Sequence, residues 1–113
     1  MESVVILYGL KNCESCKKAL SQLSAVGHQV KFVDIRTNPL NALQLTDLLA
    51  HHGEDVVINR KSKTWRNLDE TARSLPPQTL LAQHPTVIKR PIIFTETGSF
   101  VGWTSEAQMA CGL

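Results

Sequence analysis

Short apolar runs punctuate an otherwise mixed chain, and their spacing predicts most of its elements. Val4 to Tyr8 ("VVILY") and Val30 to Ile35 ("VKFVDI") are brief and rich in β-branched residues, which predicts two buried strands. Between them Cys16, Ala19, Leu20 and Leu23 recur at i, i+3, i+4 and i+7, while Lys17, Lys18, Ser21, Gln22 and Ser24 fill the other face. That pattern predicts an amphipathic helix stopped near Gly27. Strand, helix and strand within about thirty residues make a βαβ unit with a right-handed crossover.

Asn38-Pro39 has the form of a helix start, with asparagine as the cap and proline in the first turn. Leu45, Leu48 and Leu49 supply that helix's buried stripe, and Gly53 supplies its stop. The stretch "LDETARSLPPQTLLAQHP" predicts two short helices split by Pro76-Pro77, after the basic segment "NRKSKTWRNL". A strand from Ile92, a turn at Thr97-Gly98 and a strand across Phe100 and Val101 follow. Ser105 and Gln108 form a capping box for a last helix reaching Cys111. The expected architecture is therefore α/β and thioredoxin-like: β-α-β, then β-β-α, in one domain over 1–113, with a helical insert at about 37–88 between the halves.

With 113 residues, 42% of them hydrophobic, the chain can bury a core without a disulfide or a metal. A net charge of +2 is too small to make nucleic acid or a membrane surface the main partner. No stretch reaches the ~18 apolar residues of a membrane helix. The start "MESVVILYGLK" has an acid where a signal peptide carries basic residues, so it predicts a strand. A cytoplasmic location is the resulting expectation, and structural disulfides are rare there.

The chemistry-bearing feature is "YGLKNCESCKKAL", which puts Cys13 and Cys16 three apart at a strand-to-helix junction. Such spacing serves a structural disulfide, half of a zinc site, or a reactive thiol with a partner. A closed zinc site needs four ligands. The third cysteine, Cys111, is remote and alone, and His28 has no second histidine at partner spacing. His51 and His52 are adjacent and point about 100° apart on a helix. No metal is expected.

A reactive thiol has a mechanism. At a helix start, Cys13 meets unpaired backbone N–H groups and the positive end of the helix dipole. Lys11, Lys17 and Lys18 surround it, against the single acid Glu14. Such settings lower a cysteine pKa from ~8.5 to ~3.5–7.5. A fall to about 6 raises the thiolate fraction at neutral pH roughly thirtyfold but costs about tenfold in intrinsic nucleophilicity. Cys13 therefore gains more as a leaving group than as an attacker, and Cys16, in the apolar stripe, is the natural resolving thiol. Inert packing of both sulfurs is the alternative. Arg90-Pro91 marks the start of the third strand, since proline cannot donate to a ladder.

The segments "YGLKNCESCKKAL", "INRKSKTWRNL", "HPTVIKRPIIF" and "VGW", in that order, resemble the arsenate reductase (ArsC)/Spx family over essentially the whole chain. They look most like its YffB branch, small thioredoxin-fold proteins proposed to be glutathione-dependent thiol reductases. The resemblance implies that Cys13 is the catalytic cysteine, that Cys16 or glutathione resolves it, and that glutathione is the co-substrate. It also implies that Pro91 is cis and faces the helix-start cysteine, and that Arg60 and Arg90 match two of three oxyanion-holding arginines. Lys11 and Asn12 join Arg60, Arg90 and Pro91 as candidate substrate-binding residues. The third arginine is absent, because no Lys or Arg follows Arg90. That departure counts against arsenate, and Gly102 resembles the YffB and Spx branches.

A glutathione-dependent thiol–disulfide oxidoreductase is accordingly the leading expectation, acting on a small disulfide, an oxyanion or a protein disulfide. Its rivals are an arsenate reductase and an Spx-like redox-sensing regulator that binds the RNA polymerase α-subunit. Gly53 falls where Spx proteins place a contact glycine, whereas the basic tail usual in Spx is missing here. The loop Arg60, Lys61, Lys63, Trp65, Arg66 mixes cations with an aromatic, and a solvated basic loop beside an anion site is preferred to direct nucleic-acid binding. Cys111 shares a stripe with Ala107 and Ala110 and is expected on a buried helix face.

Overall fold

The computed structural model describes residues 4–113. Strand β1 (Val4–Gly9), helix α1 (Glu14–Ala25) and strand β2 (Gln29–Asp34) form the βαβ unit, with β1 and β2 parallel and Leu7 opposite Phe32. Five short helices follow: α2 (Ala42–His52), α3 (Glu54–Val57), α4 (Lys63–Arg66), α5 (Glu70–Arg73) and α6 (Pro77–Gln83). A 3₁₀ turn over Pro85–Val87 leads to strands β3 (Ile92–Thr95) and β4 (Gly98–Val101), and helix α7 (Ser105–Ala110) closes the chain. The sheet order is β2-β1-β3-β4, with β3 antiparallel to both of its neighbours. The thioredoxin-like α/β fold expected from the sequence is the one observed.

The described chain forms two compact units, one comprising residues up to Asp34 together with Arg90–Leu113, the other Ile35–Lys89. In the first, alternate residues of the pleat point to the same side. Val5 and Leu7 of β1 and Ile93 of β3 meet Cys16, Ala19 and Leu23 of α1 and Cys111 just beyond α7, all at most 3% exposed. Burying each leucine contributes about 1.5–3 kcal/mol. Two polar ties flank this layer: Trp103 Nε1 donates to Gln22 Oε1 of α1 (2.6 Å), and His28 Nε2 donates to the Cys111 carbonyl (2.6 Å). On the opposite face Tyr8 and Phe94 meet edge to face at 5.6 Å. Leu20, expected in the buried stripe of α1, is only half-buried and stands at the margin of that layer.

In the second unit α2 packs against α3 and α6. Leu45, Leu48, Val57, Leu80, Leu81 and Val87 are buried. The ends of its long loop are pinned side by side, because Asn59 N–H donates to the Val87 carbonyl (2.9 Å) and Lys89 N–H to the Val57 carbonyl (2.8 Å). Gly53, at a φ of 85°, ends α2 and begins α3.

Two helix starts differ from the expectation. Helix α2 begins three residues after Asn38-Pro39, with Asn41 as its cap. Asn41 Oδ1 accepts from Gln44 N–H (2.8 Å), and Gln44 Oε1 accepts from Asn41 N–H (2.9 Å), a reciprocal pair that Asn38 does not make. Asn38 instead donates to the Thr37 hydroxyl. Helix α7 is capped by Thr104, whose hydroxyl accepts from Ala107 N–H, rather than by Ser105. Among the described residues no helix is long and apolar enough to cross a membrane.

The cap assignment has a measurable consequence. Asn41→Ala should lower stability in urea unfolding by about 1 kcal/mol, whereas Asn38→Ala should leave it unchanged; equal losses would contradict the assignment.

Candidate functional site

Cys13 is the N-cap of α1, with extended backbone dihedrals (φ −91°, ψ 122°), and is held by two backbone bonds. Its N–H donates to the Leu10 carbonyl (3.1 Å) and its carbonyl accepts from Lys17 N–H (3.0 Å). The sulfur is therefore placed at the head of a twelve-residue helix, where the first backbone N–H groups lack helical partners. Cys13 is half-buried, Cys16 one turn on is 0% exposed, and neither is in a disulfide.

The room for Cys16 comes from Gly9 at the end of β1. A Cβ built on Gly9 would run into the Cys16 Sγ, stand 3.2 Å from the Cys16 Cβ and 3.4 Å from Leu7 Cδ2. Glycine is required there by close approach, since its φ is not positive.

The two thiols differ sharply in proton affinity. Burial pushes the Cys13 thiol up, but the Cys16 backbone N–H, the Cys16 thiol and the Arg90 guanidinium outweigh it and hold Cys13 below the ordinary thiol value. As a thiol Cys13 makes no capping bond to its helix; as a thiolate it is the acceptor that these donors satisfy. Burial, reinforced by the neighbouring Cys13 sulfur, pushes Cys16 up to about 12, against the Leu10 backbone N–H and Arg90, which favour its thiolate. Cys16 is thus a proton-bearing donor to Cys13. Cys111 is also raised by burial and lies in the core, as its place in the α7 stripe predicted.

The Arg90-Pro91 bond is cis, as the resemblance implied, and leads directly into β3. Pro91 is buried, and its carbonyl accepts from Gly102 N–H (2.8 Å) across the β3–β4 hairpin. Cys13, Cys16, Arg90, Pro91, Lys11 and Asn12 all belong to the same unit, with Lys11 and Asn12 exposed on the β1–α1 loop.

Arg60 belongs to the other unit. Its Nη1 donates to Asp55 Oδ1 (2.8 Å), and its guanidinium stands 5.5 Å from the centre of the Trp65 ring. Arg73 lies over the same ring at 5.4 Å, and donates to the Trp65 and Arg66 carbonyls. The half-buried indole is thus engaged by two cations, which favours the structured basic loop over a platform for stacking bases. Among the described residues no group of His, Cys, Asp and Glu side chains is arranged to hold a metal.

The sequence reading did not foresee the contact of Gly9 with Cys16. A glycine ending a strand seven residues before a stripe cysteine is its only trace in the sequence. Nor did it foresee the pairing of Arg60 with Asp55, whose spacing follows no helical period.

Three outcomes follow from this geometry. The rate of Cys13 alkylation by iodoacetamide follows its thiolate, so its pH midpoint should lie below that of free cysteine. Arg90→Gln removes a group that favours the thiolate and should raise that midpoint; an unchanged midpoint would remove Arg90 from the site. Gly9→Ala should cost about 1–3 kcal/mol in urea unfolding through overpacking, and Cys16→Ala in the same chain should recover part of the loss.

The sequence profile of the ArsC family matches residues 8–111. An uncharacterised protein of Haemophilus influenzae is 37% identical over 111 residues, covering 95% of this chain and 97% of that protein. The global transcriptional regulator Spx of Bacillus subtilis is 32% identical over 110 residues, covering 91% and 82% of the respective chains. A solved structure named as a YFFB protein superposes with a TM-score of 0.86 at 30% identity, covering 95% of this chain and 97% of that one.

Proposed function

The chain belongs to the ArsC family, and from that premise we propose that it is a glutathione-dependent thiol–disulfide oxidoreductase with Cys13 as nucleophile. One observation carries the reading: a half-exposed cysteine at a helix head, favoured as thiolate by Arg90 and by a buried, protonated Cys16.

The Cys13 thiolate attacks one sulfur of a disulfide, the S–S bond breaks, and the departing thiolate takes a proton from solvent. The product is a mixed disulfide on Cys13. A second thiol then attacks that bond, releasing Cys13 as the thiolate its surroundings favour. The second thiol leaves bonded to the retained half of the substrate as a new mixed disulfide. Exchange of a further glutathione on it releases that half as a thiol and yields glutathione disulfide, so two glutathione thiols are oxidised for each disulfide reduced. Cys16 is a poor second thiol at neutral pH, because burial holds its pKa above the ordinary thiol value. Burial is the leading cause of that value and persists after Cys13 has reacted. Glutathione from solution is therefore the resolving thiol, and Cys16 acts chiefly by donating to Cys13. Arg90, together with Lys11 and Asn12 just before Cys13 in the chain, supplies charge and hydrogen bonds for a glutathione carboxylate.

Identity with Spx regulators favours one rival, a redox-sensing regulator that binds RNA polymerase. The two are separated by assaying glutathione-dependent reduction of hydroxyethyl disulfide alongside binding to the polymerase α-subunit. Cys13→Ser should drop turnover to background, while Cys16→Ser should keep most of it. Turnover unaffected by Cys13→Ser would sink the proposal, and one-to-one polymerase binding without turnover would establish the regulator.

A further inference from the structure

Beside the sulfur pair, in the same unit, the β1–α1 loop, α1 and the edge strand β2 line an open cleft of about 340 Å³. Its walls are Leu10, Cys16, Leu20 and Phe32, with Lys11 and Lys17 completing the lining, and the lining surface is almost wholly apolar. Leu20 is only half-buried because it stands at this pocket instead of in the core layer. Phe32, opposite Leu7 in the β1–β2 ladder, is half-buried beside it.

Size and charge together restrict what fits. The volume lies at the small end of the range for small-molecule sites, about 300–1,000 Å³, and exceeds what one aliphatic side chain fills. Lysine stems can extend apolar walls while their ammonium groups remain in water. Lys17 is partly answered by Glu14 at 3.5 Å, an exposed pair. Lys11 has no carboxylate within ion-pair distance among the described residues. An apolar cleft with an excess of positive charge complements a ligand with a compact apolar body and one anionic group. Neutral hydrocarbons would leave that charge unused, and compact anions such as phosphate would leave the apolar walls wet.

We propose that this pocket binds a small apolar carboxylic acid, of the aryl or branched alkyl class, as the carboxylate. The body lies against Leu10, Leu20 and Phe32, and the carboxylate reaches Lys11 and Lys17. No step of binding uses the Cys13 sulfur; Lys11 is shared with the glutathione reading above, so the two proposals are separated at Cys13 and not at Lys11.

The test is titration of the full chain with 2-naphthoate, followed by calorimetry and by backbone amide shifts. Saturable one-to-one binding is expected, with the shifts centred on Leu10, Lys11, Lys17, Leu20 and Phe32. The neutral analogue 2-naphthamide should bind up to about fivefold more weakly for each lysine engaged, the scale of an exposed ion pair. Leu20→Trp should abolish binding by filling the cleft, and Lys11→Glu, at an exposed position, should reverse the preference for acid over amide. Cys13→Ser should bind naphthoate as the parent does, even where it loses disulfide turnover, so the two proposals fail separately. No saturable binding at millimolar ligand, shifts centred elsewhere, or an acid preference that survives Lys11→Glu would overturn the site.

Discussion

The Cys16 sulfur occupies the space where a side chain at position 9 would stand, so helix α1 lies on strand β1 at a distance set by the absence of one Cβ. Much of the first unit is arranged around that approach. Ala19 and Leu23 continue the same contact along the helix, meeting Val5, Leu7 and Ile93 in one layer. At the other end, the approach brings the helix head beside the entry to β3, where Arg90 reaches Cys13. The Trp103–Gln22 bond ties the remote side of α1 to the segment after β4. A helix standing off by the width of a methyl group would loosen these contacts together, because protein interiors pack without slack.

The same packing sorts the two sulfurs chemically. Cys16 is buried because it fills the gap over Gly9, and a buried thiol keeps its proton. A retained proton makes it a donor, and the nearest acceptor is the Cys13 sulfur, which the helix head and Arg90 already favour as an anion. One steric fact at a glycine thus separates two identical side chains into one whose thiolate is favoured and one that donates a hydrogen bond to it. The relatives of this chain include a global transcriptional regulator, and a favoured thiolate can serve sensing as well as turnover.

Features written in neighbouring residues were legible before the structure: the βαβ unit, the cysteine pair at a helix start, and the proline entering β3. The helix starts at Asn41 and Thr104 were displaced because adjacent residues obey the same local rule. Asn38-Pro39 competes with Asn41, and only Gln44 reaching back decides between them. Helices α3 and α4 have four residues each, too few for a period to register. The partners of Arg60, the seat of Cys16 on Gly9 and the pocket beside Leu20 depend on how elements lie against each other. Periodicity carries no information about that. Burial of Cys111, by contrast, could be read from its spacing to Ala107.

The two tryptophans fall one to each unit, and their surroundings are unlike. Trp103 holds Gln22 on the helix that carries the sulfur pair, while the guanidinium groups of Arg60 and Arg73 both lie against the ring of Trp65. Indole emission responds to hydrogen bonding at its nitrogen and to nearby charge. The protein therefore contains two native fluorophores with separable environments: one reads the helix that bears the thiols, and the other reads the basic loop of the insert, with no label added to either.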